Sequence, residues 1–353
     1  MKRLFTFLAL VTLVMFAGPS ASLADMELTG ERKGAFFRIV VPDEWNGDLV
    51  IWNHGFSFVD IGPVADLGPL AALQLLEGYA VAASSYSQRG WALFQTEKDL
   101  RSLIRIFEKN FGEPNQILIN GASLGGLVTA QAIETVDDDD GNLTGAYPFC
   151  GAVAGSRNWD GAVDLRLIYD FVCSGVTDPF SGLPADIPGG AEGLPADFVF
   201  AITGDQELDL ALTVNACTGI LPLADRTADQ AARLATILDA TTLPENFLLR
   251  DMGFATFALR DLVQDKRKLN GKVGAGNEEV MYADAAIDAG IERVEPNGGA
   301  EGRLFDHFTP TGEVGAVKIV SLHTDKDGLV IVENESEYAN VVPPDNLTTA
   351  IVT

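Results

Sequence analysis

Basic residues are scarce in this chain: 24 lysines and arginines stand against 50 aspartates and glutamates, for a formal charge of −26. Such a polyanion repels phosphate backbones and anionic bilayers, which argues against nucleic acid or an acidic membrane surface as a partner. Histidine is scarcer still, with only His54, His307 and His323, none close in sequence to another histidine or to a cysteine. No zinc-site spacing is present, so no structural metal is expected. Cysteine occurs three times, at Cys150, Cys173 and Cys217. An odd count leaves one thiol unpaired, and Cys173 with Cys217 is the favoured pair. Beyond residue 24, no segment stays apolar for the roughly 20 residues that a spanning helix requires.

What is present begins with an export pattern. Lys2 and Arg3 precede an apolar run from Leu4 to Ala17, and the small residues Ser22 and Ala24 follow at cleavage spacing. The run is too short to span a bilayer and reads as a signal peptide over residues 1–24, cleaved after Ala24. The expectation is a secreted or periplasmic protein with no membrane span after cleavage. The remaining chain is long enough for one large domain or two.

Short runs rich in Val, Ile and Phe recur, each closed by Gly, Asn, Ser or Thr. They cover Ala35 to Val41, Leu49 to Asn53, Ala80 to Ser84, Gln116 to Asn120, Gly151 to Ala154 and Val317 to Leu322. Buried strands read this way when helices cover both faces of a sheet. Helical spacing fills the gaps at Pro69 to Leu76 and Glu97 to Phe111, where Leu100, Leu103, Ile104 and Phe107 share a face. This alternation predicts an α/β architecture with a mostly parallel sheet. The order fails between Arg157 and Thr311, where a Pro/Gly-rich stretch from Ser181 to Asp197 precedes helical patterns at Asp225 to Leu238 and Glu245 to Lys268. Those residues read as an insertion. Gly182-Leu-Pro-Ala-Asp186 recurs at Gly193 to Asp197, a loop repeat and not a solenoid. Asp137 to Asp140 lacks the EF-hand spacing and reads as a solvated acidic turn.

Chemistry is written most clearly at Gly121-Ala-Ser123-Leu-Gly125. The G-x-S-x-G pattern is weak alone, but a strand runs into it and a helical pattern from Leu124 to Glu134 runs out. Strand, sharp turn and helix are what a nucleophile elbow needs, and the glycines keep Cβ atoms out of the crowded bend. The other reading is an ordinary turn with a capping serine. If Ser123 is the nucleophile, the N–H of Leu124 is one oxyanion donor. The second is expected after Leu49 to Asn53, where His54-Gly55-Phe56 ends a strand; Phe56 is the candidate and Gly55 the runner-up. The acid is expected at the end of Val317 to Leu322, where His323-Thr-Asp325-Lys-Asp327 follows, with Asp327 preferred and Asp325 second.

These segments, with Pro42 to Ile51 and Ser85 to Trp91, stand in the order of the α/β-hydrolase superfamily, which the chain resembles over most of its length. It is similar to secreted esterases and prolyl-peptidase-like serine hydrolases with a large inserted cap. The resemblance implies an α/β-hydrolase core over residues 25–156 and 312–353, with a largely helical cap over 157–311 roofing the pocket. It also supports Asp327, with Thr324 in place of the family's usual glycine. The implied activity is cleavage of small or polymeric carboxylic esters through an acyl-enzyme, with no cofactor; a peptidase or a binding pseudo-hydrolase of the same fold is the alternative. In this fold a histidine follows the acid, yet none follows Asp327. The expectation is therefore a truncated C-terminus, with Asn346 to Thr353 as the last strand. His54, His307 and His323 are weaker substitutes for the base.

Overall fold

The computed structural model describes residues 25–136, 142–192 and 204–353. The export segment, the Asp137–Asp140 turn and the second copy of the pentapeptide lie outside the described residues. Strands β1 (Met26–Arg32) and β2 (Ala35–Val41) form a hairpin through Lys33 and Gly34, both with positive φ. Such a two-residue turn matches the right-handed twist of its strands. The sequence reading missed β1 because Met-Glu-Leu-Thr-Gly-Glu-Arg buries no side chain fully, as suits an edge strand.

Strands β3 (Leu49–Asn53), β4 (Ala80–Ser84), β5 (Ile117–Ala122), β6 (Leu143–Phe149), β7 (Lys318–Thr324) and β8 (Leu347–Val352) complete one sheet, in the order β1-β2-β4-β3-β5-β6-β7-β8. β1 and β2 run antiparallel to their neighbours, and every pair from β4 to β8 is parallel. β3 and β4 are buried at every position, which explains their unbroken apolar runs.

One expected strand is corrected. Residues 151–154 form a turn, and the strand lies earlier, at Leu143–Phe149. Gly145 and Pro148 hid it, since both usually mark breaks. Here Pro148 sits near the strand's end, and a Cβ at Gly145 would press on Leu118 at 2.8 Å.

Helices α1 (Ala71–Leu76), α2 (Thr96–Phe111) and α3 (Leu124–Thr135) alternate with the strands. Leu100, Leu103, Ile104 and Phe107 of α2 are buried, each contributing about 1.5–3 kcal/mol relative to exposure. α3 is buried on all sides from Leu124 to Ile133, and so lies in the core as a helix apolar all round must.

Between β6 and β7 the described residues form helices joined by loops: α4 (Asn158–Cys173), α5 (Gly204–Thr218), α6 (Ala228–Thr241), α7 (Leu248–Gly253), α8 (Leu259–Gln264), α9 (Ala285–Gly290) and α10 (Gly298–Asp306). α6 starts at a capping box between Thr227 and Gln230. The helix expected over Glu245 to Lys268 is interrupted by a π-helical turn at Phe254–Ala258 and ends at Gln264. The favoured Cys173–Cys217 disulfide is present, joining the ends of α4 and α5, and Cys150 is free. After β7, α11 (Glu333–Val341) packs back on the sheet through buried Asn334, Glu335 and Tyr338.

Candidate active site

Parallel strands send their C-terminal ends to one edge, where open α/β sheets leave a crevice for ligands. The turns after β3, β5, β6 and β7 meet there. Ser123, between β5 and α3, has φ 57° and ψ −125°, a conformation that non-glycine residues hold only when their surroundings force it. The force is visible on both sides. The Ser123 N–H donates to the Cys150 carbonyl at 3.1 Å, and its own carbonyl accepts from Ala152 at 3.1 Å and Gly126 at 3.0 Å. A Cβ at Gly125 would overlap the Asn53 carbonyl oxygen, and one at Gly121 would overlap that of Gly125. Thr129 Oγ1 donates to the Gly125 carbonyl at 2.9 Å and accepts from Asn53 Nδ2 at 3.0 Å, tying α3 to β3. A strained serine on a strand-to-helix bend in the centre of this strand order is decisive.

The chain has the α/β-hydrolase fold.

In this fold, Ser123, Leu124 and Phe56 all line one cavity of about 490 Å³. Leu124 is the first residue of α3, so its N–H has no acceptor within the helix. Gly55 approaches Ser123 closely enough that an added Cβ would lie 3.4 Å from the serine Cβ. The walls are apolar and aromatic: Phe56, Trp91, Trp159 and Phe254 contribute, with Trp91 and Trp159 edge-on at 5.3 Å.

Asp327 does not itself line the cavity, but the residues after it, Gly328 to Ile331, do. Its Oδ1 accepts from the N–H groups of Leu329 and Val330, each at 3.0 Å, which folds the turn around the carboxylate. Asp325 is exposed and its N–H pairs with Val352 at the end of β8. Of the two candidates, only Asp327 is turned inward.

None of the three histidines lines the Ser123 cavity. His54 is stacked on Tyr86 at 4.0 Å, hydrogen-bonds the Gly55 carbonyl through Nδ1 at 2.7 Å, and borders a separate cavity with Ser57 and Arg89. Burial lowers its pKa. His307 lies 4.9 Å from the Phe94 ring, and its carbonyl accepts from Trp91 Nε1.

His323 is buried with both nitrogens engaged: Nδ1 on Glu335 Oε1 at 3.1 Å, Nε2 on the Val330 carbonyl at 2.7 Å. The Val330 carbonyl only accepts, so Nε2 donates to it, while Nδ1 is taken up by Glu335. Burial lowers the His323 pKa, but the Glu335 and Val330 bonds and the charges of Glu335 and Asp327 raise it above the usual value. With both nitrogens engaged and the ring outside the cavity lining, His323 presents no nitrogen to Ser123.

Cys150, His323 and Asp327 are the one group of three donors among the described residues close enough for a metal, within 4.8 Å of one another. With both His323 nitrogens occupied, only a thiol and a carboxylate remain as donors, too few for a structural site. Burial raises the Cys150 thiol pKa, which also works against thiolate ligation.

Sequence reasoning missed Asp251 entirely. It lies on α7, lines the cavity, and is only 8% exposed. Burial, and then the charge of Asp327, push its pKa up to about 7 against a partial offset from Arg250. Among the described residues its Oδ2 has no hydrogen-bond partner. No local pattern marks it in Leu-Leu-Arg-Asp-Met, because its burial depends on where α7 lands.

No family model and no curated protein matches the chain. Several solved structures are similar to it. Feruloyl esterase B from Aspergillus oryzae is 15% identical with a TM-score of 0.46, over 93% of this chain and 72% of that one. Candida antarctica lipase A in its closed state is 10% identical at 0.44, over 93% and 70%. The Pyrococcus furiosus esterase is 12% identical at 0.43, over 93% and 80%. At these values the likenesses say nothing about activity or substrate.

Proposed function

We propose that this protein is a serine hydrolase of carboxylic esters. Ser123 Oγ attacks the acyl carbon, the N–H groups of Leu124 and Phe56 receive the developing oxyanion, and Asp327 orients an imidazole that would carry the serine proton. The observation that supports this reading most is the strained Ser123 backbone on the floor of an apolar cavity. Strain of this kind persists where the fold over-determines it, and it aims the hydroxyl at a ligand. Export fits the N-terminal pattern and the Cys173–Cys217 disulfide, which survives best in an oxidising compartment.

The described residues put no imidazole at Ser123, so general-base catalysis is the missing element. Oxyanion binding alone leaves about 10³–10⁴ of acceleration over water in triad enzymes stripped of a member. The test is covalent labelling by a fluorophosphonate, with and without imidazole added to the buffer. Slow labelling of Ser123, quickened by imidazole and abolished in Ser123→Ala, is the expected result. Labelling that survives Ser123→Ala, or no labelling under either condition, would overturn the proposal, and the second result would leave a binding protein on the hydrolase fold.

A further inference from the structure

The α7 side of the Ser123 cavity, its roof, holds a buried carboxyl that Arg250 offsets only in part. Four carboxyl side chains border the cavity: Asp164, Asp251, Glu333 and Glu337. Asp164 accepts from the Tyr282 hydroxyl, Glu337 is paired with Arg157, and Glu333 stands at the rim beside solvent. Asp251 is different, because it is more than nine-tenths buried and its Oδ2 has no hydrogen-bond partner. Leaving a buried acceptor unmade costs about 1–3 kcal/mol, and more when the group is charged. The penalty is compounded by Asp327, whose charge acts on Asp251 in the unfavourable sense.

Asp251 lines a cavity with aromatic walls, and the charge of Asp327 acts on it from outside that lining. Phe254 lies three residues beyond Asp251, on the same side of the helical turn, and it also lines the cavity. Its ring meets Phe56 at 4.9 Å and Phe58 at 5.3 Å, while Phe56 and Phe58 meet at 4.8 Å. A carboxylate beside aromatic faces is the environment that attracts an organic ammonium, which gains Coulomb energy from one and quadrupole attraction from the other.

We propose that the cavity selects substrates bearing a cationic nitrogen, with the ammonium group seated between Asp251 and the rings of Phe254 and Phe56 while the acyl carbon lies over Ser123. That the ligand is an ester rests on the function proposed above; that its head is cationic rests on Asp251 alone. A cation beside Asp251 compensates the charge of its buried carboxyl and offsets the repulsion from Asp327. A neutral ligand of the same shape does neither.

The experiment compares two isosteric probes, choline and 3,3-dimethylbutan-1-ol, by titration calorimetry at pH 8 on the whole chain. Choline should bind at least tenfold more tightly. The preference should fall below threefold in Asp251→Asn, decline partially in Phe254→Leu, and persist in Ser123→Ala. Equal binding of the two probes, no choline binding, or a preference untouched by Asp251→Asn would overturn the proposal. The Ser123→Ala arm keeps this test separate from the serine chemistry. Choline recognition without fluorophosphonate labelling would support the cation site and remove the esterase; labelling without choline recognition would do the reverse.

Discussion

The floor and the roof of the Ser123 cavity carry their unfavourable energy in different forms. On the floor it is backbone geometry: Ser123 sits at φ 57°, and the bend closes only because Gly121 and Gly125 lack side chains. On the roof α7 is a regular helical turn, and what is unfavourable is the desolvated Asp251 carboxyl. Backbone strain does not titrate, whereas a buried carboxyl does. The two halves should therefore respond differently to pH, and a site can be primed by either route without sharing residues.

The sharpest way to break this contrast is Asp251→Asn. A carboxyl whose folded pKa is about 7 against 3.8 for the ordinary group binds more protons folded than unfolded, so the parent protein loses stability as pH rises from about 4 to about 7. The variant escapes that loss and should gain up to about 4 kcal/mol over the parent at pH 8, with the advantage vanishing below pH 4. Urea unfolding across that range measures it, and a gain independent of pH would remove the roof's distinction. Arg250 and Asp327, the charged groups acting on Asp251, are unchanged in both proteins.

The floor gives the opposite signature. Gly125→Ala drives a methyl into the Asn53 carbonyl and should lower stability by about 3 kcal/mol, the upper end for overpacking, by the same amount at pH 4 and pH 8. A pH-dependent loss would mean that the elbow is held by charge after all.

A smaller effect separates the turn below Asp327 from both. Glu335→Gln leaves His323 and Ser321 without their shared carboxylate and should lower stability by about 2 kcal/mol in acid. His323 has a raised folded pKa, so its contribution is fully present below about 6.5. It fades as pH rises through the folded value, and the difference between variant and parent should shrink on the alkaline side. Unfolding at pH 5.5 and pH 9 checks the sign.

Legibility followed the range of the interactions. The elbow was readable because its reasons are local: a strand, a bend that excludes Cβ atoms and a helix succeed one another within about twenty residues. β3, β4 and β5 were readable because burial on both faces writes an apolar run. β1 was not, since an edge strand with a solvated face need not alternate strongly, and β6 was displaced by Gly145 and Pro148, whose breaking tendency the sheet overrides. His323 could be named as a candidate base from the sequence, but the partners that engage both its nitrogens lie on α11 and in the turn before it.

The sequence by itself determined the central strands β3, β4 and β5, the serine bend and the acidic character of the chain, because each is set by residue type at short spacing. Only the tertiary structure decided that the three histidines lie away from Ser123, and that Asp251 is buried opposite Asp327. The physical reason is that desolvation and long-range charge act through space: a carboxyl on α7 acquires its unusual pKa from a turn 76 residues further along the chain, and no local pattern can encode that meeting.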